Sequence, residues 1–295
     1  MDSGRGSPIS IVVLPAFAQA GHVNRRTFLK SGLAASSIPA LQTRSSASSA
    51  MTSSRPNILF LFAEQHHPRA LSPAGHPVVR TPHLDRLARE GVYFPNSYCA
   101  TPLCVPSRTS TITSRYSHAT GIPVNLYDDL IGDQPNLARR LRDSAYRTCF
   151  VGKTHLASGD SSPERMDRLG FDEEFTTSGK IGTINPGADG RYVRYLKERG
   201  VYDLFVRDYQ MRGKLRQLTF CDAHPSVLDP RDYHDEWISR TSDEWLDRYT
   251  GEEPFFLWVN WAGPHAYRDA PGKYATLYDP EQVDPPIEDP MELTP

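Results

Sequence analysis

The sequence has 295 residues, of which 38% are hydrophobic, so it can bury a substantial core in one large or two small domains. Its 33 Lys and Arg residues nearly balance its 35 Asp and Glu residues, which excludes a strong overall field for nucleic acid or another polyanion. Four cysteines in a chain of this length do not make a disulfide framework. Any specific binding of an anion must therefore come from local geometry.

The first fifty residues have the order of an export segment. Arg25 and Arg26 precede a weakly apolar stretch of small residues that starts at Ser31, and this order resembles a twin-arginine signal. The stretch is too short to span a membrane stably, and we expect cleavage among residues 42–51. We expect 1–50 to be a signal and disordered leader that brings the protein through the twin-arginine machinery to the periplasm or the extracellular space. The alternative is a disordered basic tail.

The folded domain is predicted over 55–295. A continuous apolar run at 57–63 predicts a strand buried on both faces of a parallel or mixed sheet. Such sheets gather ligands at the carboxyl ends of their strands, where a polar run starts with Glu64. A helix is predicted near 82–90, followed by a short strand near 92–96.

Further strands alternate with helices along the rest of the chain. Residues 136–144 predict an amphipathic helix, and 147–152 predict a strand that ends in a lysine and a histidine. A helix with an apolar stripe is predicted at 234–249, and a buried strand at 255–260. The alternation predicts an α/β fold with a mixed, largely parallel sheet flanked by helices. Residues 171–231 carry no motif and form either a variable wall of a pocket or a surface insertion.

Cys104 opens the most informative stretch, which reads CVPSRTSTITSR and starts a predicted helix. A cysteine phosphatase would need an arginine where Ser110 stands, so that class is excluded. A zinc site would have to use Cys99, Cys104 and His118, whose spacing lacks the CxxC signature. Considered alone, the cysteine is an ordinary buried or disulfide-bonded residue at a helix cap. The unpaired amides at the start of the helix favour an anion there.

Three segments together resemble the sulfatase family. CVPSRTSTITSR is similar to the signature whose cysteine is oxidised after translation to formylglycine, and GKTHLA is similar to the family motif GKxHLG. The run FFLWVN followed by Gly-Pro-His resembles the family's FFL...PH strand. The resemblance implies an alkaline-phosphatase-like core, with Cys104 as the formylglycine precursor. The residues implied to bind and turn over the sulfate are Cys104, Arg108, Lys153, His155 and His265.

The function implied by this resemblance is hydrolysis of sulfate monoesters of a small molecule or carbohydrate. The partner that makes formylglycine from Cys104 would be the formylglycine-generating enzyme. The family also implies a divalent metal, usually calcium, with Glu64, Gln65 and Cys104 as its ligands here. Most members place two acidic residues where Glu64 and Gln65 stand, or an Asp-Gln pair in the branch of phosphonate monoester hydrolases. The extra methylene of Glu64 displaces its carboxylate from the usual ligand position.

The sequence departs from the family in two further places. Nothing after His265 matches the downstream Asp-His or Asp-Asn pair, so we expect a fold truncated before the C-terminal subdomain and missing part of the metal site. Ser114 stands where the family usually has glycine. Two alternatives to an active sulfatase therefore stay open: a phosphonate or phosphate ester hydrolase of the same superfamily, which Gln65 supports, and a non-catalytic sulfatase-like fragment.

Overall fold

The computed structural model of the chain describes residues 9–15, 55–125, 134–156, 162–219 and 223–283. Within these residues, one five-stranded sheet has helices on both faces, which confirms the expected α/β fold. Every strand pair is parallel, so the sheet has no antiparallel member among the described strands. The strands are β1 Ile9–Pro15, β2 Asn57–Ala63, β3 Arg147–Lys153, β4 Glu173–Thr177 and β5 Phe255–Trp261, in the spatial order β1-β2-β5-β3-β4.

The helices connect and cover these strands. They are α1 Pro82–Glu90, α2 Cys104–Thr113, α3 Ser117–Thr120, α4 Leu137–Asp143, α5 Pro163–Leu169, α6 Gly179–Gly182, α7 Arg191–Glu198, α8 Tyr202–Thr219 and α9 His234–Arg248. Local sequence explains several of their starts. Asn136 accepts a hydrogen bond from the backbone of Arg139 and caps α4, and Ser162 caps α5 ahead of a proline. None of the described helices is both long and apolar enough to cross a membrane.

Two hydrophobic cores lie on opposite faces of the sheet because side chains alternate along each strand. Phe150, Phe256 and Trp258 point to one core, where α2, α4 and α5 pack. Val151 and Leu257 point to the other, where α7, α8 and α9 pack. The predicted stripe of α9 is confirmed, since its tryptophans and isoleucine are buried in this second core.

Two local predictions differ from the structure. Residues 92–96 form an exposed loop instead of a strand, with Val92 77% and Phe94 71% exposed. β2 is deeply buried on only one face, because Phe60 and Phe62 are buried while the residues between and beside them are partly exposed. The reason lies in the edge position of this part of the sheet, where only β1 lies outside β2.

β1 lies within the predicted leader, and the sequence analysis predicted no strand there. It pairs with β2 from Ile9 opposite Asn57 to Pro15 opposite Ala63. The run ISIVVLP is rich in β-branched residues, which favours an extended backbone. The two arginines of the export motif and the predicted cleavage region lie outside the described residues, so the leader stays a prediction.

Candidate active site

The carboxyl ends of three adjacent strands meet at one edge of the sheet and supply most of the site. Glu64 directly follows β2, Lys153 ends β3, and His265 lies on the segment after β5. The first residue of α2, Cys104, faces the same place. Parallel strands bring residues that are far apart in sequence to a common edge, as such sheets do at their ligand sites. The structure thus brings together the predicted residues that the sequence distributes over about 160 positions, from Cys104 to His265.

Glu64 lies at the centre of the cluster and is only 1% exposed. One carboxylate oxygen forms an ion pair with the Nζ of Lys153 and lies 3.4 Å from the Nη2 of Arg108. Burial by itself would raise the pKa of Glu64, but the charges of Arg108 and Lys153 outweigh burial and lower the pKa to about 2. The Glu64 carboxylate is therefore ionised and shared between two cations.

Arg108 connects α2 to the end of β3. It is 1% exposed, its Nη1 donates to the carbonyl oxygens of Lys153 and Thr154 at 3.2 Å each, and its guanidinium lies 5.2 Å from the ring centre of Phe62. These contacts fix the guanidinium while its Nη2 faces Glu64. Arg108 therefore provides a pre-oriented positive charge beside Cys104.

Cys104 is a half-buried free thiol at the start of α2. Burial raises the pKa of this thiol, and the nearby Glu64 carboxylate raises it further, which outweighs the influence of Lys153 and Arg108. A thiol that holds its proton is a weak nucleophile. The environment of Cys104 therefore does not favour catalysis by the unmodified thiolate.

The two histidines are held as neutral rings. Burial, followed by the charges of Lys153 and Arg108, lowers the pKa of His155 to about 3. Burial and Lys153 also lower the pKa of His265, whose Nδ1 lies 2.9 Å from the carbonyl oxygen of Ala266. His155 has a φ of 44°, a left-handed conformation that is uncommon outside glycine. Neutral imidazoles in this position can accept a proton or bind through a ring nitrogen.

Two polar residues that the sequence analysis did not single out position the site. The side-chain amide of Asn260 donates to the carbonyl oxygen of Lys153, which fixes the end of β3 against β5. Asp235, in the first turn of α9, accepts hydrogen bonds from the backbone N–H groups of Ala262 at 2.9 Å and Gly263 at 3.2 Å. The hydrogen bond from Gly263 holds the segment that carries His265. Asn260 lies within the FFLWVN run but received no role there, and no sequence motif marks Asp235, because the partners of both residues are backbone atoms of distant segments.

Gly152 allows β3 and β5 to come close at this edge. Its φ is 109°, and a Cβ atom there would lie 2.0 Å from the carbonyl oxygen of Asn260. No other residue type fits that space. The glycine that precedes Lys153 in the GKTHLA run is therefore explained by packing within the sheet.

Three potential metal ligands converge in the cluster. Donor atoms of Glu64, Cys104 and His155 all lie within 4.8 Å of one another, and they are the only such group among the His, Cys, Asp and Glu residues that the structure describes. Cys99 and His118 are not part of this group, which argues against a zinc site made of Cys99, Cys104 and His118. Gln65, a predicted ligand, has an exposed side chain and a φ of 59° at the turn after β2. Its role as a ligand stays a prediction.

The described donors do not by themselves match a calcium site. Calcium takes about six to eight oxygen ligands, whereas this group supplies one carboxylate, one sulfur and one imidazole. The carboxylate of Glu64 is also already paired with Lys153 and Arg108. We therefore assign no chemical step to a metal.

A cavity of about 540 Å³ opens beside the cluster. Lys153, His155 and His265 form one side of it, and residues between 178 and 188 form the other. The predicted variable wall of 171–231 thus contributes its first part to the pocket. A cavity of this size, lined by cationic and neutral imidazole groups, suits an anionic small molecule.

These features define an α/β protein with a cluster of cationic and imidazole side chains at the carboxyl edge of its parallel sheet. The sulfatase family matches over residues 56–287, and the chain belongs to the sulfatase family. The resemblance predicted from the three sequence segments is therefore confirmed.

Relatives with known names support this membership. The chain is 33% identical over 187 residues to N-acetylglucosamine-6-O-sulfatase of Bacteroides thetaiotaomicron, covering 59% of this chain and 33% of that protein. It is 30% identical over 236 residues to the ulvan-active sulfatase of Formosa agariphila, covering 78% and 39% respectively. Its fold is similar to that of the phosphonate monoester hydrolase of Agrobacterium radiobacter, with a TM-score of 0.59 at 21% identity, covering 79% of this chain and 45% of that chain. The chain thus spans less than half the length of these relatives.

Proposed function

We propose that the protein hydrolyses sulfate monoesters of sugars, with formylglycine made from Cys104 as the nucleophile. One observation carries the proposal: Lys153, His155 and His265 line one cavity, and the thiol of Cys104 lies within 4.8 Å of a ring nitrogen of His155. The buried carboxylate of Glu64 joins Lys153 to Arg108 in the same cluster. A sulfate ester accumulates negative charge on its oxygens in the transition state, and a pre-oriented cationic site stabilises that charge. The family match supports sulfate ester hydrolysis in general.

The residues of the chain have separable roles in this proposal. Arg108 and Lys153 bind the sulfate oxygens through fixed positive charges, and His265 contacts the sulfate from the same side of the cavity as Lys153. The pKa of about 3 keeps His155 neutral at pH 7, so its role is to form a hydrogen bond with the nucleophile, and it is only a weak base for the proton of the nucleophile. One hydroxyl of the hydrated formylglycine attacks sulfur, which breaks the bond from sulfur to the ester oxygen, releases the protonated sugar alcohol and leaves the sulfate on the enzyme. Deprotonation of the second hydroxyl then expels sulfate and restores the aldehyde, a route that a thiol lacks.

A sugar ester is the substrate class that the relatives favour. The relatives include an N-acetylglucosamine-6-O-sulfatase and an ulvan-active sulfatase. A protein of similar fold, with a TM-score of 0.50, was solved in complex with its substrate D-glucosamine-2-N,6-O-disulfate. The pocket is also large enough for a group beyond the sulfate itself. The formylglycine-generating enzyme is the proposed partner for maturation, and calcium stays a predicted cofactor.

The test is hydrolysis by the full chain produced together with a formylglycine-generating enzyme. We expect mass spectrometry to find the aldehyde at Cys104 and the protein to release sulfate from N-acetylglucosamine 6-sulfate. Cys104→Ala should abolish release, whereas the matched variant Cys99→Ser should keep it, because Cys99 lies outside the proposed reacting groups. A protein that carries the aldehyde but releases no sulfate from any ester would overturn the proposal.

The alternatives give different results in the same experiment. A phosphonate or phosphate ester hydrolase, which Gln65 favours, would cleave phenyl phosphonate faster than any sulfate ester. A non-catalytic sulfatase-like fragment would keep the thiol at Cys104 even in the presence of the modifying enzyme. It would also bind sulfate without turnover.

We also propose export through the twin-arginine route on the basis of Arg25 and Arg26. A reporter fused after residue 55 should reach the periplasm of a bacterial host, and replacement of both arginines by lysine should retain it in the cytoplasm. Equal distribution of the two fusions would contradict this proposal.

A further inference from the structure

The cavity beside the cationic cluster has a second side with no assigned role. We name this side the cavity wall and define it as residues 178–188, between β4 and α7. The volume of about 540 Å³ lies within the roughly 300–1,000 Å³ typical of small-molecule sites and is more than one sulfate ion needs. The remaining space is available to the alcohol half of an ester.

Buried polar contacts hold the cavity wall in place. The Nζ of Lys180 donates to the carbonyl oxygen of Tyr267 at 2.6 Å, and it forms an ion pair with Asp269 at 2.8 Å. Tyr209 and Tyr233 also donate hydrogen bonds to Asp269, at 2.6 and 3.0 Å. The charge of Lys180 is therefore neutralised by a structural partner. The wall is a fixed surface and does not present a second free cation to the ligand.

The cavity wall lies in direct contact with Lys153, one of the residues proposed to bind the sulfate. Gly179 has a φ of 73°, and a Cβ atom there would lie 2.9 Å from the Cδ and 3.0 Å from the Cε of Lys153. Only glycine lets the wall approach Lys153 so closely. An ester whose sulfate lies on Lys153 must therefore place its alcohol half against the wall.

The composition of the wall favours a polyhydroxyl group. It presents the polar side chains of Ser178 and Asn185 beside the apolar side chains of Ile181 and Pro186. None of the residues of the cavity wall is aromatic, so the wall offers no stacking surface for an aryl group. Hydroxyl and amide groups can pair with ring hydroxyls, and the aliphatic side chains suit the apolar face of a sugar ring.

We propose that the cavity wall is the binding site for the sugar half of the sulfate ester, with Asn185 and Ile181 as the residues that determine specificity. This inference rests on the proposed function, because it assigns the leaving group of the same reaction. It predicts that changes in the wall separate a sugar sulfate from a small aryl sulfate.

The first test compares two substrates on one variant. Asn185→Ala should lower kcat/KM for N-acetylglucosamine 6-sulfate by about five- to tenfold through KM, because one hydrogen bond to the sugar is lost. Hydrolysis of 4-nitrophenyl sulfate should not change. Gln282→Ala removes a comparable exposed amide that does not line the cavity, and it should leave both rates at the wild-type values.

The second test measures binding without turnover. Ile181 is 37% exposed, so Ile181→Trp can be accommodated without disturbing the core and should fill the space beside the wall. In a Cys104→Ala background, which does not turn over the ester, calorimetry should give an unchanged Kd for inorganic sulfate, while the affinity for N-acetylglucosamine 6-sulfate falls by about tenfold or more.

The outcomes separate the two levels of the proposal. A wild-type protein that binds neither sulfate nor the sugar ester would overturn the proposed function and this site with it. A wild-type protein that hydrolyses both esters, combined with equal losses on both in Asn185→Ala, would overturn the sugar site alone. An unchanged affinity of Ile181→Trp for N-acetylglucosamine 6-sulfate would also overturn the sugar site alone.

Discussion

Replacement of the central carboxylate, Glu64→Gln, tests the electrostatic account of the site. Glu64 is ionised between Lys153 and Arg108, and all three side chains are at most 5% exposed. Lowering its pKa from 4.5 to about 2 corresponds to about 3 kcal/mol of stabilisation. Glu64→Gln leaves Lys153 and Arg108 buried without their shared carboxylate, and burial disfavours the charged form of Lys153. We therefore expect a loss of about 2 to 3 kcal/mol in the free energy of unfolding.

Urea denaturation of the full chain at pH 7 measures this loss. The matched control is Glu173→Gln, because Glu173 pairs with Arg147 at 2.9 Å but the pair is more than a third exposed. We expect the control to cost less than about 1 kcal/mol. The carboxylate contributes fully above pH 4.5 and its contribution is lost as the pH falls toward 2, so wild type and Glu64→Gln should converge over that range. Equal losses in both variants at pH 7 would refute the reasoning.

Three further predictions concern backbone conformation and acid stability. Ser114 ends α2 with a φ of 54°, so Ser114→Gly should raise stability by roughly 0.5 to 1 kcal/mol. Gly170→Ala should lower stability by at least about 2 kcal/mol, because φ is 100° and the new Cβ would lie 2.4 Å from the backbone nitrogen of Arg139. In urea denaturation, a loss in Ser114→Gly would contradict the first expectation, and an unchanged or higher stability in Gly170→Ala the second. The pKa of His155 is about 3 in the folded protein and near 6.5 when unfolded, so the free energy of unfolding should fall by about 2 kcal/mol from pH 7 to pH 5. His155→Gln should remove most of that fall, and an identical pH profile for the variant would exclude His155 as its source.

The fold was predictable from the sequence where a run of hydrophobic residues is bounded on both sides by polar residues, glycine or proline. β5 contains the apolar run FFLWV and β3 the shorter run CFV, and the structure buries both runs on both faces of the sheet. The α9 stripe repeats at helical spacing. The same reasoning failed at 92–96, where aromatic and β-branched residues favour a strand but no neighbouring strand pairs with them. It also missed β1, because a strand far from its partner in sequence has no local signal of pairing.

The candidate site was predictable only as far as motifs extend. Resemblance identified Cys104 and His265, and the topology explains why such distant residues meet. The contact between Glu64 and Lys153 was not predictable, since it depends on how far a side chain one methylene longer than aspartate reaches across the strand ends. Asp235 was missed because it accepts hydrogen bonds from the backbone N–H groups of Ala262 and Gly263. Almost every residue has such a group, so the residue types at these two positions do not indicate the contact.

If the protein is exported and cleaved as predicted, the pairing of β1 with β2 would link its maturation to the sheet edge that it offers for assembly. Cleavage within residues 42–51, as the export prediction requires, would separate β1 from the folded domain while leaving β2 in place. The N–H and C=O groups of β2 that now bond to Ile9–Pro15 would then lie at an open sheet edge, which can accept a strand from another polypeptide. The uncleaved chain covers this edge itself. A mature form would therefore differ from its precursor in the binding surface that it offers as well as in its length.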